Sequence, residues 1–138
     1  MDLGITDRLS PLLDAVRKMV SDEIMPMDEE YLAEVEVGDR WEFTDRQTEI
    51  LEGLKAKAKE AGLWNFWDTL GDGVRLTTVE YAYLAEEMGK SHLAPEVFNC
   101  NAPDTGNMEV FKKYASPEQQ ENSRLVASDE ATPGSVIR

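Results

Sequence analysis

Three short capping sequences constrain the fold of this chain more than any other feature. Each places Thr or Ser three residues before Gln or Glu: TDRQ at residues 44–47, TTVE at 77–80 and SPEQ at 116–119. In such a box the first side chain accepts a hydrogen bond from the fourth backbone amide, and the fourth side chain accepts one in return. Apolar residues at helical spacing, such as Ile50, Leu51 and Leu54, follow the first box. The pattern predicts helices, and no stretch alternates convincingly as a strand would.

The N-terminal part predicts one amphipathic helix over residues 7–24. Its apolar stripe recurs at three- or four-residue steps and consists of Ile5, Leu9, Leu12, Val16, Val20 and Ile24. Thr6 or Ser10 could cap this helix, and Pro11 favours a start at Ser10 or a kink there. We expect Pro26 to end it. Residues 27–43 then form an acidic connector against the domain body, with at most a short turn near residues 28–34.

The later helices end at recognisable residues. Gly62 is well placed to end the helix that follows the first box, and Gly89 the helix that follows the second. A further helix is predicted from about residue 104 to 114, with Asp104 as its N-cap. We therefore predict an all-α fold, with four to five helices packed as a small orthogonal or up-and-down bundle.

The domain division is predicted at residue 120. Residues 1–120 contain the helical pattern and form one domain. Residues 118–124 contain no apolar residue, so the helix after the third box has no face to present to a core. Residues 123–138 are rich in Ser, Asp, Glu, Thr, Pro and Gly, and we interpret residues 121–138 as a divergent, disordered tail.

The charge of the chain excludes some partners. Among 138 residues the net charge is −14, and residues 21–49 hold 11 acidic residues and two arginines, a net −9. Nucleic acid and anionic membrane surfaces favour Lys and Arg, so neither is an expected partner. No apolar run is long enough to span a bilayer, and the N-terminus lacks the pattern of a signal peptide. The single cysteine, Cys100, fits a reducing cytoplasm.

Few residues suggest catalysis or metal binding. His92, the single histidine, and Cys100 could form a nucleophilic pair, but a helix-end histidine and a half-buried thiol are the simpler interpretation. GDG at residues 71–73 lacks the Lys-Ser/Thr of a phosphate loop and predicts a turn. Aromatic residues 64–67 could stack on a ligand, although such residues more often fill a core. We predict no metal site.

Residues 84–109 carry a more specific signal. The sequence reads LAEEMG at residues 84–89, APEVFNC at 94–100 and APDTGNME at 102–109. An Ile-x-Pro step at residues 24–26 and AGLW at 61–64 precede these stretches. Over residues 8–120 the chain resembles the N-terminal helical domain of the acyl-CoA dehydrogenase flavoproteins.

The resemblance implies a chemistry for the complete enzyme. In that family a middle β-domain and a C-terminal helical bundle follow the N-terminal domain. FAD lies between those two parts, and the bundle supplies the carboxylate that removes the α-proton. The complete oxidoreductase would desaturate an acyl-CoA thioester in fatty acid metabolism, with hydride passing to FAD. The N-terminal domain supplies one wall of the acyl pocket, which corresponds here to residues 98–108.

The same resemblance assigns candidate substrate-binding residues. Carried over one by one, these are Asn99, Pro103, Asp104 and Asn107. Small and polar residues in a Pro- and Gly-containing turn bring the backbone close to a ligand, and suit a wide or polar substrate. The alternative is that Asp104 only caps its helix and Asn99 only satisfies the turn. No catalytic or cofactor-binding residue is predicted.

The resemblance stops after Gln120. The family usually continues there with Trp-Leu, whereas this chain has ENSRLV at residues 121–126. We therefore expect the chain alone to be inactive and not to bind FAD tightly. Two alternatives remain open: a non-catalytic helical interaction module that self-associates, or one part of an enzyme with a separately encoded flavin-binding chain.

Overall fold

Every regular element in the described part of the chain is helical, which confirms the predicted all-α class. The computed structural model describes residues 3–37, 39, 41–68 and 75–120. These residues hold six α-helices: α1 (Ser10–Met19), α2 (Met25–Glu34), α3 (Asp45–Glu60), α4 (Thr78–Met88), α5 (Ala94–Val97) and α6 (Asp104–Tyr114). The prediction of four to five helices lacked α2 and α5. The chain divides into two compact units, Met1–Cys100 and Asn101–Arg138.

A π-helical segment, Val20–Ile24, joins α1 to α2 without a break. The prediction that Pro26 ends the first helix is therefore wrong, and residues 27–34 are helical rather than a connector. In the π-helical segment the Met25 N–H donates to the Val20 carbonyl, five residues earlier. This wider turn places Pro26 in the first turn of α2, where its missing N–H is tolerated.

The start of α1 at Ser10 agrees with the prediction, and Pro11 lies in its first turn. The cap differs, because Leu9 occupies the N-cap and has no capping side chain. Thr6 instead closes the preceding turn, where its Oγ1 accepts a hydrogen bond from the Leu9 N–H at 3.1 Å.

The capping boxes of α3 and α4 are confirmed. Thr44 accepts from the Gln47 N–H at 3.1 Å and Thr77 from the Glu80 N–H at 3.2 Å, and both reciprocal bonds are present. Gly62 ends α3 with a left-handed φ of 70°. The Leu63 N–H then donates to the Ala58 carbonyl at 2.8 Å, which is the six-to-one bond of a Schellman motif.

The core of the first unit lies where α1 packs on α4, and α3 packs on α2 and α5. Its largest fully buried side chains are Phe66, Phe98, Leu9, Leu13, Ile24 and Leu84. Burial of each such side chain contributes about 1.5–3 kcal/mol. The interpretation of residues 64–67 as core is supported by Phe66, which is fully buried, and by Trp64, which packs against the cluster.

In the second unit α6 covers the predicted residues, and the third capping box follows it. The Ser116 N–H donates to Gln119 Oε1 at 2.8 Å, and the Gln119 N–H donates back to Ser116 Oγ at 3.3 Å. The predicted tail at residues 121–138 and the predicted turn at residues 71–73 lie outside the described residues. The domain division at residue 120 stays a prediction.

Candidate functional site

Two asparagines join the loop after α3 to the turn after α5. Among the described residues, Asn65 and Asn99 are the non-glycine positions with positive φ, at 59° and 54°. Asn99 Nδ2 donates to Asn65 Oδ1 at 2.6 Å, and the Asn65 N–H donates to the Phe98 carbonyl at 3.1 Å. Asparagine enters this backbone region at lower cost than most residues. The asparagine pair therefore fixes the conformation of the turn that holds Asn99.

The asparagine pair lies beside a rigid aromatic contact. The rings of Phe66 and Phe98, each adjacent in sequence to one member of the pair, are fully buried with centroids 5.6 Å apart and a tilt of 45°. Such tilted rings add about 0.5–1.5 kcal/mol beyond their buried area. The core thus anchors both ends of the asparagine contact. Asn99 has a structural role in the turn, and its contact with substrate stays a prediction.

Cys100 is partly buried directly after the asparagine pair. Burial raises the pKa of the Cys100 thiol, while hydrogen bonds from the Phe66 and Trp67 backbone amides and the Tyr81 hydroxyl act in the opposite direction. The net effect is a raised pKa, which favours the unreactive thiol at neutral pH. His92 is exposed on the segment between α4 and α5. These properties support the structural interpretation of both residues over a nucleophilic pair.

The other three candidate residues lie together at the start of α6 in the second unit. The Asn107 N–H donates to the Pro103 carbonyl at 3.2 Å, so Pro103, Asp104 and Asn107 share one helical turn. Pro103 is exposed, while Asp104 and Asn107 are partly buried. The prediction that Asp104 is the N-cap is wrong: Pro103 occupies that position, with no side-chain cap. Asp104 is the first helical residue, where its negative charge interacts favourably with the positive end of the helix dipole.

A charged groove lies between α1, the π-helical segment and α4. Its volume is about 530 Å³. Glu87, buried at its edge, accepts from Arg17 Nε at 2.8 Å and from Lys90 Nζ at 2.5 Å. Burial alone would raise the pKa of Glu87, but the bonds from Lys90 and Arg17 outweigh it and lower the pKa. The groove is thus an ion-paired surface between helices.

This groove does not fit the flavin that the resemblance implies for the complete enzyme. Its described lining contains no aromatic side chain, and Arg17 and Lys90 already neutralise Glu87. A flavin site needs apolar wall for the ring system and donors for the pyrophosphate. In this groove the apolar side chains of the described lining are Val20 and Met25, and the cationic groups of Arg17, Lys18 and Lys90 already pair with carboxylates.

Sequence reasoning missed two well-connected side chains. Asn65 interrupts the aromatic run of residues 63–67, and an asparagine between bulky residues is itself a signal for a left-handed turn. Glu80 was identified only as part of a capping box. It is buried and also accepts hydrogen bonds from Thr6 Oγ1 at 2.8 Å and from Arg8. Because Thr6 and Arg8 are remote in sequence, no local pattern could reveal these partners.

No group of three or more His, Cys, Asp or Glu side chains in the described part of the chain is placed to hold a metal ion. None of the described helices has the length and apolarity needed to cross a membrane.

Curated relatives cover most of this chain but only a small part of their own length. Acyl-CoA dehydrogenase family member 10 of Mus musculus is 37% identical over 123 residues, which is 85% of this chain and 11% of that protein. Acyl-CoA dehydrogenase family member 11 of Homo sapiens is 40% identical over 113 residues, covering 79% of this chain and 14% of that protein. No protein-family model matches the chain.

A solved structure supports the same relationship. A protein from Mycobacterium abscessus, described provisionally as an acyl-CoA dehydrogenase, matches with a TM-score of 0.73 and 45% sequence identity. The match covers 86% of this chain and 30% of that one. Sequence and fold agree, and the chain belongs to the acyl-CoA dehydrogenase family.

Proposed function

We propose that this chain serves as the N-terminal helical module of a flavin-dependent acyl-CoA dehydrogenase. The complete enzyme would form a double bond between the α and β carbons of an acyl-CoA thioester and pass a hydride to FAD. The observation that carries the proposal is the 45% identity to the Mycobacterium abscessus protein, with a TM-score of 0.73. A cytoplasmic location belongs to the same proposal and rests on the single cysteine.

We propose two substrate-facing positions, one in each unit. In the first unit it is Asn99, whose turn is fixed by the asparagine pair. In the second unit it is the first turn of α6, with Pro103, Asp104 and Asn107. Amide and carboxylate groups favour a substrate with hydrogen-bonding groups over a purely apolar acyl chain.

A graft tests these positions. Residues 8–120 replace the matched segment of the Mycobacterium abscessus protein, and the graft is then varied by Asn107→Ala. Loss of a hydrogen bond to substrate should raise KM about tenfold, equivalent to about 1.4 kcal/mol, at unchanged flavin content. Glu118→Gln, an exposed change in the same unit, is the matched control. If both variants keep the parent KM across acyl-CoAs of different length and polarity, the substrate-facing role of Asn107 is wrong.

The chain alone should not hold the flavin. After incubation with FAD and gel filtration, a UV–visible spectrum of the protein peak should contain no flavin band. A flavin band near one equivalent would contradict the proposal that this chain is a module whose cofactor is bound elsewhere.

A second candidate function is a non-catalytic helical module that associates with itself. The observation that favours it is a set of large exposed apolar side chains, including Leu3, Ile5, Val110 and Tyr114. Light scattering at high protein concentration distinguishes this self-associating module from the enzyme module proposed above. A clean monomer contradicts self-association, while a stable oligomer without flavin supports it.

A further inference from the structure

An unpartnered apolar stripe lies along one side of α2. Met25, Leu32 and Val35 follow each other at steps of seven and three residues, which places them on one face of the helix. All three are exposed. The face that packs on the core is a different one, formed by Met27 and Tyr31. No residue of α2 is fully buried, and the stripe is exposed in this chain.

The loop after α2 carries three more exposed apolar side chains. Among the described residues of the loop at 35–43, Val37, Trp41 and Phe43 are 69%, 75% and 63% exposed. Large aromatic side chains with this exposure, clustered in one short loop, are typical of contact sites rather than of a solvated surface. We name the stripe and the loop together the α2-loop surface: Met25, Leu32, Val35, Val37, Trp41 and Phe43.

Hydrogen bonds join some of the described residues in and beside this loop. Thr44 Oγ1 donates to Glu34 Oε2 at 2.9 Å, so the two ends of the loop meet. Within it, the Trp41 N–H donates to Asp39 Oδ1 and the Glu42 N–H donates to the Asp39 carbonyl, both at 3.0 Å. Because Val35 and Phe43 adjoin Glu34 and Thr44 in sequence, the bond between Glu34 and Thr44 brings the end of the stripe near Phe43.

Charge decides which partner fits. Between Asp28 and Asp45 the sequence holds eight carboxylates and one arginine. Two copies of this surface would bring like charges together, which disfavours a symmetric dimer. Anionic membranes are repelled for the same reason. A segment that carries Lys or Arg beside apolar side chains would complement both the exposed aromatic rings and the exposed carboxylates of Glu29, Glu36, Asp39 and Glu42.

We propose that the α2-loop surface docks a basic, amphipathic segment of another protein. Trp41 and Phe43 supply the apolar anchors, and the carboxylates of residues 28–45 attract the basic groups. The proposal is independent of the proposed enzymatic function, because it needs neither flavin nor acyl-CoA.

A designed peptide tests this on the full chain. The probe is a roughly 18-residue amphipathic helix of Leu and Lys, and its Kd is measured by isothermal titration calorimetry. The variant Trp41→Ser/Phe43→Ser should raise that Kd at least about tenfold. Val110→Ser/Tyr114→Ser is the matched control, because it also removes two exposed apolar side chains at constant net charge, and it should change the Kd less than about twofold.

Two further peptides separate the contributions. Replacing Leu by Ser keeps the charge of the probe and should weaken binding strongly, and replacing Lys by Glu should abolish it. Hydrogen exchange should show protection at residues 32–43 on binding of the Leu–Lys peptide. Equal Kd values for the two double variants, or equal binding of the serine peptide, would overturn the proposal in favour of unspecific charge attraction. A dimer in sedimentation that Trp41→Ser/Phe43→Ser dissolves would instead assign the surface to a second copy.

Discussion

At the residue scale, the asparagine pair shows how backbone strain is held by specific contacts. Asn65 and Asn99 both have left-handed backbones. Their side chains share one hydrogen bond, and the Asn65 N–H donates a second to the Phe98 carbonyl. Strained positions of this kind persist where the surrounding structure supports them, and they concentrate at functional sites. Here the support comes from the buried rings of Phe66 and Phe98.

Substitutions at Asn99 separate the side-chain contact from the backbone strain. Asn99→Gly keeps the left-handed backbone and loses one hydrogen bond, which should cost about 1 kcal/mol of unfolding free energy. Asn99→Ala loses the same hydrogen bond and also puts alanine into a left-handed backbone that it adopts poorly. Its unfolding free energy should therefore fall by about 1 kcal/mol more than that of the glycine variant. Urea unfolding monitored by tryptophan fluorescence measures both values, with exposed Glu118→Gln as a control. Equal stability of the glycine and alanine variants would show that the backbone at Asn99 is not strained.

Glu80 should make stability depend on pH in the acidic range. The hydrogen bond from the Thr77 backbone, followed by those from Arg8 and Thr6, lowers the pKa of Glu80 from its ordinary 4.5 to about 2. A lowered pKa in the folded state means that Glu80 stabilises the fold above pH 4.5, and that this contribution is lost as pH falls toward 2.

Glu80→Gln should therefore be less stable than the wild type at neutral pH, and the difference should shrink below pH 4.5. Urea midpoints at neutral and acidic pH test this, with exposed Glu86→Gln on the same helix as the control. A difference that stays constant with pH would mean that the Glu80 charge is not linked to folding.

At the element scale, capping boxes and glycines predicted helix ends well, whereas Pro26 and Asp104 did not. Thr44 and Thr77 begin α3 and α4 as predicted, because a capping box depends only on residues within one turn. The prediction that Pro26 ends the first helix is wrong. The π-helical segment before it places Pro26 where the helix requires no hydrogen bond from a backbone N–H. Asn99 as the partner of Asn65, and Thr6 and Arg8 as partners of Glu80, could not be predicted, since each pair is more than 30 residues apart in sequence. Local pattern thus gives elements, while packing gives the site.

The π-helical segment makes a prediction about proline. Pro26→Ala should change the unfolding free energy by less than about 1 kcal/mol, because a first-turn residue needs no backbone N–H for the hydrogen bonds of the helix. Ala33→Pro, deeper in α2, should cost about 3 kcal/mol or more. Thermal unfolding followed by circular dichroism compares the two. A large loss of stability for Pro26→Ala would contradict this account of how α1 continues into α2.

At the scale of the whole molecule, excess negative charge should oppose folding. The chain has 28 acidic and 14 basic residues, so carboxylates remain in excess even where ion pairs such as Arg46–Glu30 form. Raising NaCl from about 0.01 M to about 1 M shortens the screening length from about 30 Å to about 3 Å and should raise Tm.

The variant Glu36→Lys/Glu42→Lys should reduce this salt effect, because both positions are exposed within the acidic loop at residues 35–43. Differential scanning calorimetry over the NaCl series measures Tm for the variant and the wild type. A Tm that falls with added salt would show that attractive ion pairs dominate over repulsion.

The most direct test of family function is flavin reduction in the graft that carries residues 8–120 within the Mycobacterium abscessus protein. The measurement is the loss of the flavin absorbance band when acyl-CoA is added under anaerobic conditions. If this chain is the N-terminal module of an acyl-CoA dehydrogenase, the graft should retain its flavin and bleach as the parent protein does. A folded graft that holds flavin but is not reduced by any acyl-CoA that reduces the parent would contradict the account.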